Sequence, residues 1–360
     1  MGIISRLIGA IFTRIMDLIK TLVLAILVAL LVLMSPAAFV EIGCRTDSGR
    51  ALYQPILPRE HQRALADSYL AYPRVQIAHS YEEYAKVIAT DNPHHFNFLS
   101  ALENYWATSC QLVKAADISG GSDLSVRSDL YISGIGYTAD IALKAAYEET
   151  IGRISAGTRG AQHSPLDKES AKMARDFAAL IADADWYNYD FATDNQMLAQ
   201  RRTGTPRDSE RRIALGIEFS AKHSLASLLR AISSDHDTTT KIHSIVSNIS
   251  EDALLRIPKL RIVQSRPEGI QIETSGGEVL SEIIQLIALQ NGEIIEIAGQ
   301  DRILVSTLSH TPTPEALATF PRQGFDNHRA IYPAYLSQLA DDIRAYESAP
   351  NSSIERIFAF

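Results

Sequence analysis

The chain has very few cysteines for its length, and it lacks the motifs that mark common catalytic or cofactor sites. Its 360 residues include only Cys44 and Cys110, too few for a disulfide-rich scaffold or a four-cysteine zinc site. No phosphate-binding loop, dinucleotide fingerprint, metalloprotease motif or nucleophile elbow occurs. We therefore predict no cofactor and no metal site. Two interpretations of the cysteines stay open: one Cys44–Cys110 disulfide in an oxidising compartment, or two separate buried thiols.

Positive charge is also scarce. The chain carries 34 lysines and arginines against 42 aspartates and glutamates, which gives an acidic formal net charge of -8. Nucleic acid requires a basic surface, so this balance disfavours DNA or RNA as a partner. The residues are 46% hydrophobic and 21% charged, a composition that excludes a disordered chain and predicts a folded core.

Charge is absent from one long stretch, Thr21 to Val40. As a helix this stretch would be about 30 Å long, the thickness of the hydrocarbon core of a bilayer. We therefore predict a single-pass transmembrane helix, with the lipid bilayer as its partner. The alternative is a cleaved signal peptide, because basic residues precede the stretch and small residues follow its most apolar part. The length of the apolar run favours a retained anchor.

The two flanks of this stretch indicate an orientation. Three basic residues lie on each side. The first flank is net positive, while Glu41 and Asp47 offset Arg45 and Arg50 on the second. This slight asymmetry places the N-terminus in the cytoplasm and the bulk of the chain on the extracytoplasmic side. Residues 1–20 carry apolar positions at helical spacing, which predicts an amphipathic helix along the inner membrane surface.

The hydropathy pattern predicts a mainly α-helical protein with a small α+β unit. The expected segments are a basic amphipathic segment (1–20), the transmembrane helix (21–40), a connector (41–59), a helical domain (60–250), a small α+β subdomain (258–310) and a C-terminal helix and tail (325–360). Interruptions of the helices are expected at Tyr72-Pro73 and Asn92-Pro93, since proline disfavours a helical residue before it.

The most regular pattern of the helical domain follows the start signal Thr205-Pro206. Apolar residues then recur at helical spacing, the pattern of an amphipathic helix. This stripe consists of Ile213, Ile217, Ala221, Leu225, Leu228 and Ile232. A shorter helix is expected from Asp235 to Ser247. Earlier in the chain, the uncharged run Leu130 to Ala139 is too short for a second membrane span.

The α+β unit is predicted from alternating, β-branched runs separated by turn residues. A capping box at Ser275–Glu278 predicts a helix as far as Gln290. Strands are expected at Leu260–Val263 and Ile270–Glu273, a hairpin from Glu293–Ala298 and Arg302–Leu308 around Gly299, and a last helix at Ile331–Tyr346.

Four residues are candidate catalytic groups: His79, Glu83, His94 and His95. Imidazoles beside carboxylates can bind a metal or transfer protons. Adjacent histidines, however, point in different directions on a helix or strand, and no known metal-binding spacing occurs. Ser80 and Glu83 also fit a capping box, which is an ordinary structural role.

Two functional hypotheses follow from these observations. The first is a membrane-anchored structural or interaction protein of the cell envelope, with a possible protein partner for its acidic helical body. The second is a membrane-anchored hydrolase that uses the histidines and neighbouring carboxylates. Convergence of those histidines with Glu83 or Glu103 in one concave pocket would favour the hydrolase.

Overall fold

The structure, a computed structural model, describes residues 2–47, 49, 53–159, 165–200, 204–232, 241–313 and 315–358. The described chain is mainly helical, with an apolar N-terminal helix, a helical body and two small antiparallel sheets towards the C-terminus. This architecture confirms the predicted fold class.

The first helix, α1 (Gly2–Gly43), contains the apolar stretch and is long enough to cross a membrane between Met16 and Gly43. Most side chains along that part are exposed rather than packed against the body. The helix is unbroken from Gly2, so residues 2–20 are helical, and their position along the inner membrane surface stays a prediction. This basic segment contains no proline, and its backbone simply continues the helix of the apolar stretch.

The C-terminal end of α1 is fixed to the body by apolar packing and a covalent bond. Val40 is buried in a cluster with residues of α2 (Leu65–Thr90), α3 (Phe98–Ile118) and α4 (Leu124–Tyr147). Cys44 forms a disulfide with Cys110 of α3, with their Cα atoms 5.3 Å apart. The disulfide joins residues 66 positions apart and holds the end of α1 against the first helical layer.

Glu41 adds a polar contact at the same junction. Its carboxylate accepts a hydrogen bond from the Tyr131 hydroxyl at 2.7 Å and one from Arg127 Nε at 3.1 Å. Both donors lie on α4, so the start of α4 stands directly beside the end of α1.

Within the described residues, seven helices form the body: α2, α3, α4, α5 (Arg153–Arg159), α6 (Pro165–Ile181), α7 (Phe191–Gln200) and α8 (Pro206–Ile232). A π-helical turn, Glu148–Gly152, joins α4 to α5. The expected break at Pro73 is wrong because α2 runs through it, whereas the chain does leave the helix before Pro93. The Ser80–Glu83 capping box is also wrong, since both residues lie inside α2 and bond to other elements.

The strands form two four-stranded antiparallel sheets. The first has the order β2-β3-β1-β4 and consists of β1 (Lys241–Ser247), β2 (Arg261–Arg266), β3 (Gly269–Ser275) and β4 (Glu293–Ile297). The second has the order β6-β7-β5-β8 and consists of β5 (Arg302–Ser309), β6 (Ala318–Pro321), β7 (His328–Tyr335) and β8 (Ser352–Phe358). The remaining helices are α9 (Glu251–Leu254), α10 (Glu278–Leu289) and α11 (Leu336–Ser348), the last two sharing one apolar core with both sheets.

Three local predictions in this region are wrong. The part of the expected helix Asp235–Ser247 that the structure describes is β1, whose β-branched residues pair with strands on both sides; residues 235–240 lie outside the described part. The expected hairpin is divided, since β4 and β5 belong to different sheets and the turn between them holds one isolated bridge, Ile297–Gln300. The expected helix Ile331–Tyr346 begins only at Leu336, because β7 extends to Tyr335 and pairs with β5.

The start of α10 also differs from its prediction. Its N-cap residue is Gly277, at a φ of 70°, and no side chain caps the helix. The Ser275–Glu278 capping box is therefore wrong, because a positive φ favours glycine at the position that the box assigns to a side-chain cap.

Candidate functional site: an open apolar groove

A groove of about 2190 Å³ lies between α4 and α8 among the described residues. The α4 wall includes Ile132 and Leu143, and the α8 wall includes Ile217 and Leu225. The base is formed by aromatic side chains of α2 and α6: Tyr81, Tyr84 and Phe177. Gly136 of α4 also lines the groove, with no atom within 4 Å of where a Cβ would stand.

The two faces of α8 have opposite exposures. Ile217 is 68% exposed although it belongs to the apolar stripe predicted from the sequence, whereas Leu215 is only 7% exposed. Ile213, Leu225 and Leu228 of the stripe are exposed as well. An apolar stripe normally packs into the core. In this helix Ile213, Ile217, Ala221 and Leu225 of the stripe line the groove. The core contacts come from the other face, which carries Arg211, Leu215 and Phe219.

Ion pairs connect α4 to α8 beneath the apolar walls. Lys144 of α4 contacts Glu218 of α8 at 2.7 Å, and Lys222 of α8 contacts Asp140 of α4 at 3.0 Å. Lys222 also contacts Glu218 at 2.8 Å. These charges neutralise one another, so the base of the groove has no unpaired charge among them with which to hold an ionic ligand.

The pKa values of these groups follow from the pairing. Burial favours the neutral carboxylic acid of Glu218, but the ammonium groups of Lys144 and Lys222 outweigh burial and lower its pKa. Burial likewise opposes the charged form of Lys222, and the carboxylates of Asp140 and Glu218 nevertheless raise its pKa. Glu218 and Lys222 therefore stay charged at neutral pH.

The rim of the groove carries an excess of negative charge. Among the described lining residues, Asp67, Asp129 and Glu278 are in no ion pair, against one such basic residue, Lys259. Asp67 and Asp129 lie near the end of α1, because their neighbours on α2 and α4 share an apolar cluster with Val40. Burial and the nearby Asp123 carboxylate raise the pKa of Asp67.

The candidate catalytic residues His79 and Glu83 lie elsewhere, at the contact between α2 and the second sheet. Glu83 binds the guanidinium of Arg329 at 3.0 Å, and Arg329 also binds Glu355 at 2.6 Å. His79 Nε2 lies 3.6 Å from Glu355. Arg329 is fully buried, so this cluster, with Glu82 at its edge, is an ion network inside the fold.

The network also fixes the charge of its histidine. Burial, together with the positive charge of Arg329, lowers the pKa of His79 to about 3. Glu355 has its pKa lowered to about 2, because Arg329 outweighs the effect of burial. His79 is therefore neutral at physiological pH, and the carboxylates are occupied by Arg329.

His94 and His95 lie in a separate turn, Pro93–His95, between α2 and α3. Their rings contact each other, with centroids 4.4 Å apart, and His95 Nδ1 lies 2.6 Å from Asp91. Burial and the adjacent His95 lower the pKa of His94. The structure thus joins His79 to Glu83 through Arg329 and Glu355, and places the histidine pair at another polar surface. Glu103 is exposed on α3.

Sequence reasoning missed the partners in both polar clusters. Glu83 and Arg329 are 246 positions apart, and nothing local links them. The groove offered a weak signal: Asp140–Lys144 and Glu218–Lys222 each have the i, i+4 spacing of helical ion pairs. Function must be inferred from this geometry, because no protein-family model, no curated protein and no solved structure matches the chain.

Proposed function

We propose that this protein is a single-pass, membrane-anchored interaction protein of the cell envelope, and that its groove binds the apolar face of a partner. One observation carries the proposal: Ile213, Ile217 and Leu225 of the α8 stripe are exposed opposite aliphatic residues of α4. Water contact with so many clustered aliphatic side chains is unfavourable. Their burial by a partner would supply a large driving force for binding.

The exposed apolar surface of α1 supports contact with the lipid bilayer through Thr21–Val40. Retention of this helix is supported by its length. The apolar part runs from Met16 to Gly43, whereas the apolar region of a signal peptide has about 7–15 residues.

The Cys44–Cys110 disulfide supports an extracytoplasmic body, since disulfides persist in oxidising compartments. Protease accessibility of a C-terminal tag tests this orientation. Cleavage of the tag in cells whose inner membrane is intact is the expected result. Protection until that membrane is permeabilised would overturn the orientation.

The hydrolase hypothesis has less support. His79 and Glu83 are engaged by the buried Arg329 network, and His94 and His95 lie in a different turn. A general base needs access to a substrate proton, and the buried side of α2 does not offer it. We also propose no nucleic-acid partner, given the acidic rim and the acidic chain.

Site-specific photocrosslinking in intact cells tests the groove as the binding site. A photoreactive amino acid at Ile217 should give a covalent adduct, whereas the same amino acid at Leu99, which is similarly exposed on α3 outside the groove, should not. Equal labelling at both positions, or none at Ile217, would contradict the proposal.

A further inference from the structure

We infer that the groove takes a basic amphipathic α-helix of a partner protein. This inference rests on the proposed function and names the class of its partner. It depends on four features of the described residues: the size of the groove, its open side, its apolar walls and the sign of its rim charges.

The size of the groove fits a helix. Small-molecule pockets reach about 1,000 Å³, less than half of the 2190 Å³ found here. A helix is about 10–12 Å across with its side chains. At that width it would fill the groove over about 19–28 Å, which corresponds to roughly 13 to 19 residues at 1.5 Å per residue.

The open side of the groove favours an amphipathic occupant over a lipid chain. Its wall residues Leu143 and Ile217 are largely exposed, so the groove is not a closed tunnel. A hydrocarbon chain lying there would keep one side in water. An amphipathic helix would bury its apolar stripe between the walls and present its polar side to solvent.

The charges at the rim of the groove determine which charge the partner should carry. The ion pairs of the base are mutually satisfied, which leaves Asp67, Asp129 and Glu278 against Lys259. Lysine or arginine beside the apolar stripe of a partner would match this rim, especially at the end near α1. The same acids disfavour the headgroups of anionic lipids.

A binding experiment with designed peptides tests this inference. The full chain is placed in nanodiscs of phosphatidylcholine, and empty nanodiscs provide the background. The probes are two fluorescent 18-residue helices with the same leucine stripe, one with lysine and one with glutamate at the other positions. Fluorescence anisotropy should show the lysine peptide binding about tenfold or more tighter than the glutamate peptide.

Three variants locate the binding. Ile217→Asn should weaken binding of the lysine peptide about tenfold, because it places an amide in the apolar wall. Leu99→Asn, a matched change outside the groove, should leave binding within about twofold. Asp129→Lys should weaken binding of the lysine peptide about threefold and reduce the salt dependence of that binding.

Each alternative outcome has a definite meaning. Equal binding of the two peptides, or binding unaffected by Ile217→Asn, overturns the basic helix as the partner. Binding of a fluorescent fatty acid that depends on Ile217, with neither peptide bound, assigns the groove to lipid chains and also overturns it. If photocrosslinking at Ile217 still gives a specific adduct in cells, the interaction function stands and only the partner class is wrong.

Discussion

The contact between α2 and the second sheet and the groove between α4 and α8 distribute polar and apolar side chains in opposite ways. At the first, the fully buried Arg329 is surrounded by carboxylates. At the second, Ile217 and its aliphatic neighbours face solvent. A buried charge needs its partners for the fold to be stable, whereas an exposed apolar row contributes little to the stability of the isolated fold. The first arrangement therefore stabilises the fold, and the second is the basis of the proposed binding role.

The largest expected effect comes from removing the charge at the centre of the first region. Arg329→Met should lower the free energy of unfolding by about 3–5 kcal/mol, because it leaves Glu83 and Glu355 buried without a cation. Urea unfolding of the full chain in detergent micelles, followed by circular dichroism, measures this loss.

An exposed arginine provides the matched control. Arg261→Met removes a pair with Glu273 in which the arginine side chain is 65% exposed, and should leave the free energy of unfolding almost unchanged. Similar losses for the two variants would mean that the Arg329 network is solvated and does not hold α2 to the sheet.

The core-facing side of α8 should give the next largest effect. Leu215→Ala should destabilise the chain by about 2–4 kcal/mol, since it removes buried methyl groups and leaves a cavity against the helical core. The midpoint and slope of the same urea transition measure this change. A loss below about 1 kcal/mol would indicate that α8 is less closely packed than the structure has it.

His79 should make stability depend on pH, and the sign follows from its pKa. The pKa of His79 is about 3 in the folded chain, against an ordinary value of 6.5. On acidification the unfolded chain therefore binds a proton at this side chain, whereas the folded chain does not. Between pH 7.5 and 5.5 the free energy of unfolding should fall by about 1.4 kcal/mol from this group alone.

The variant His79→Gln isolates that contribution. Its free energy of unfolding should fall less over the same pH range, by the amount attributed to His79, while the other histidines contribute equally to both proteins. Glu355 does not interfere, because its pKa is lowered to about 2 and its stabilisation is lost only below about pH 4.5. Parallel pH profiles would show that His79 titrates in the folded chain.

The smallest effect is expected at the groove wall. Ile217→Ala should change the free energy of unfolding by less than about 0.5 kcal/mol, since the side chain is exposed and alanine favours the helix. Comparison with Leu215→Ala, two positions away on the same helix, separates the binding face from the core face. A loss of 2 kcal/mol or more in the free energy of unfolding would mean that Ile217 is packed in the core and does not line a groove.

The sequence predicted local features more successfully than contacts. The apolar stretch of α1, the start of α8 and the strand β3 were identifiable because each depends on nearby residues. The errors at β1 and at the supposed β4–β5 hairpin arose where pairing with distant strands decided the outcome. The amphipathic pattern of α8 was also correct as a pattern, although it did not indicate which face the body would cover.

Composition and hydropathy by themselves determined that this chain has a long apolar helix followed by an acidic, mainly helical body. Both features depend only on residues that are near one another in the sequence. The tertiary structure decided which charged side chains are buried and which aliphatic side chains remain exposed to water. Those outcomes depend on how helices far apart in sequence pack together. Arg329 contacts Glu83 and Glu355 only because β7 and β8 pack against α2. The stripe of α8 forms one wall of a groove only because α4 lies opposite it.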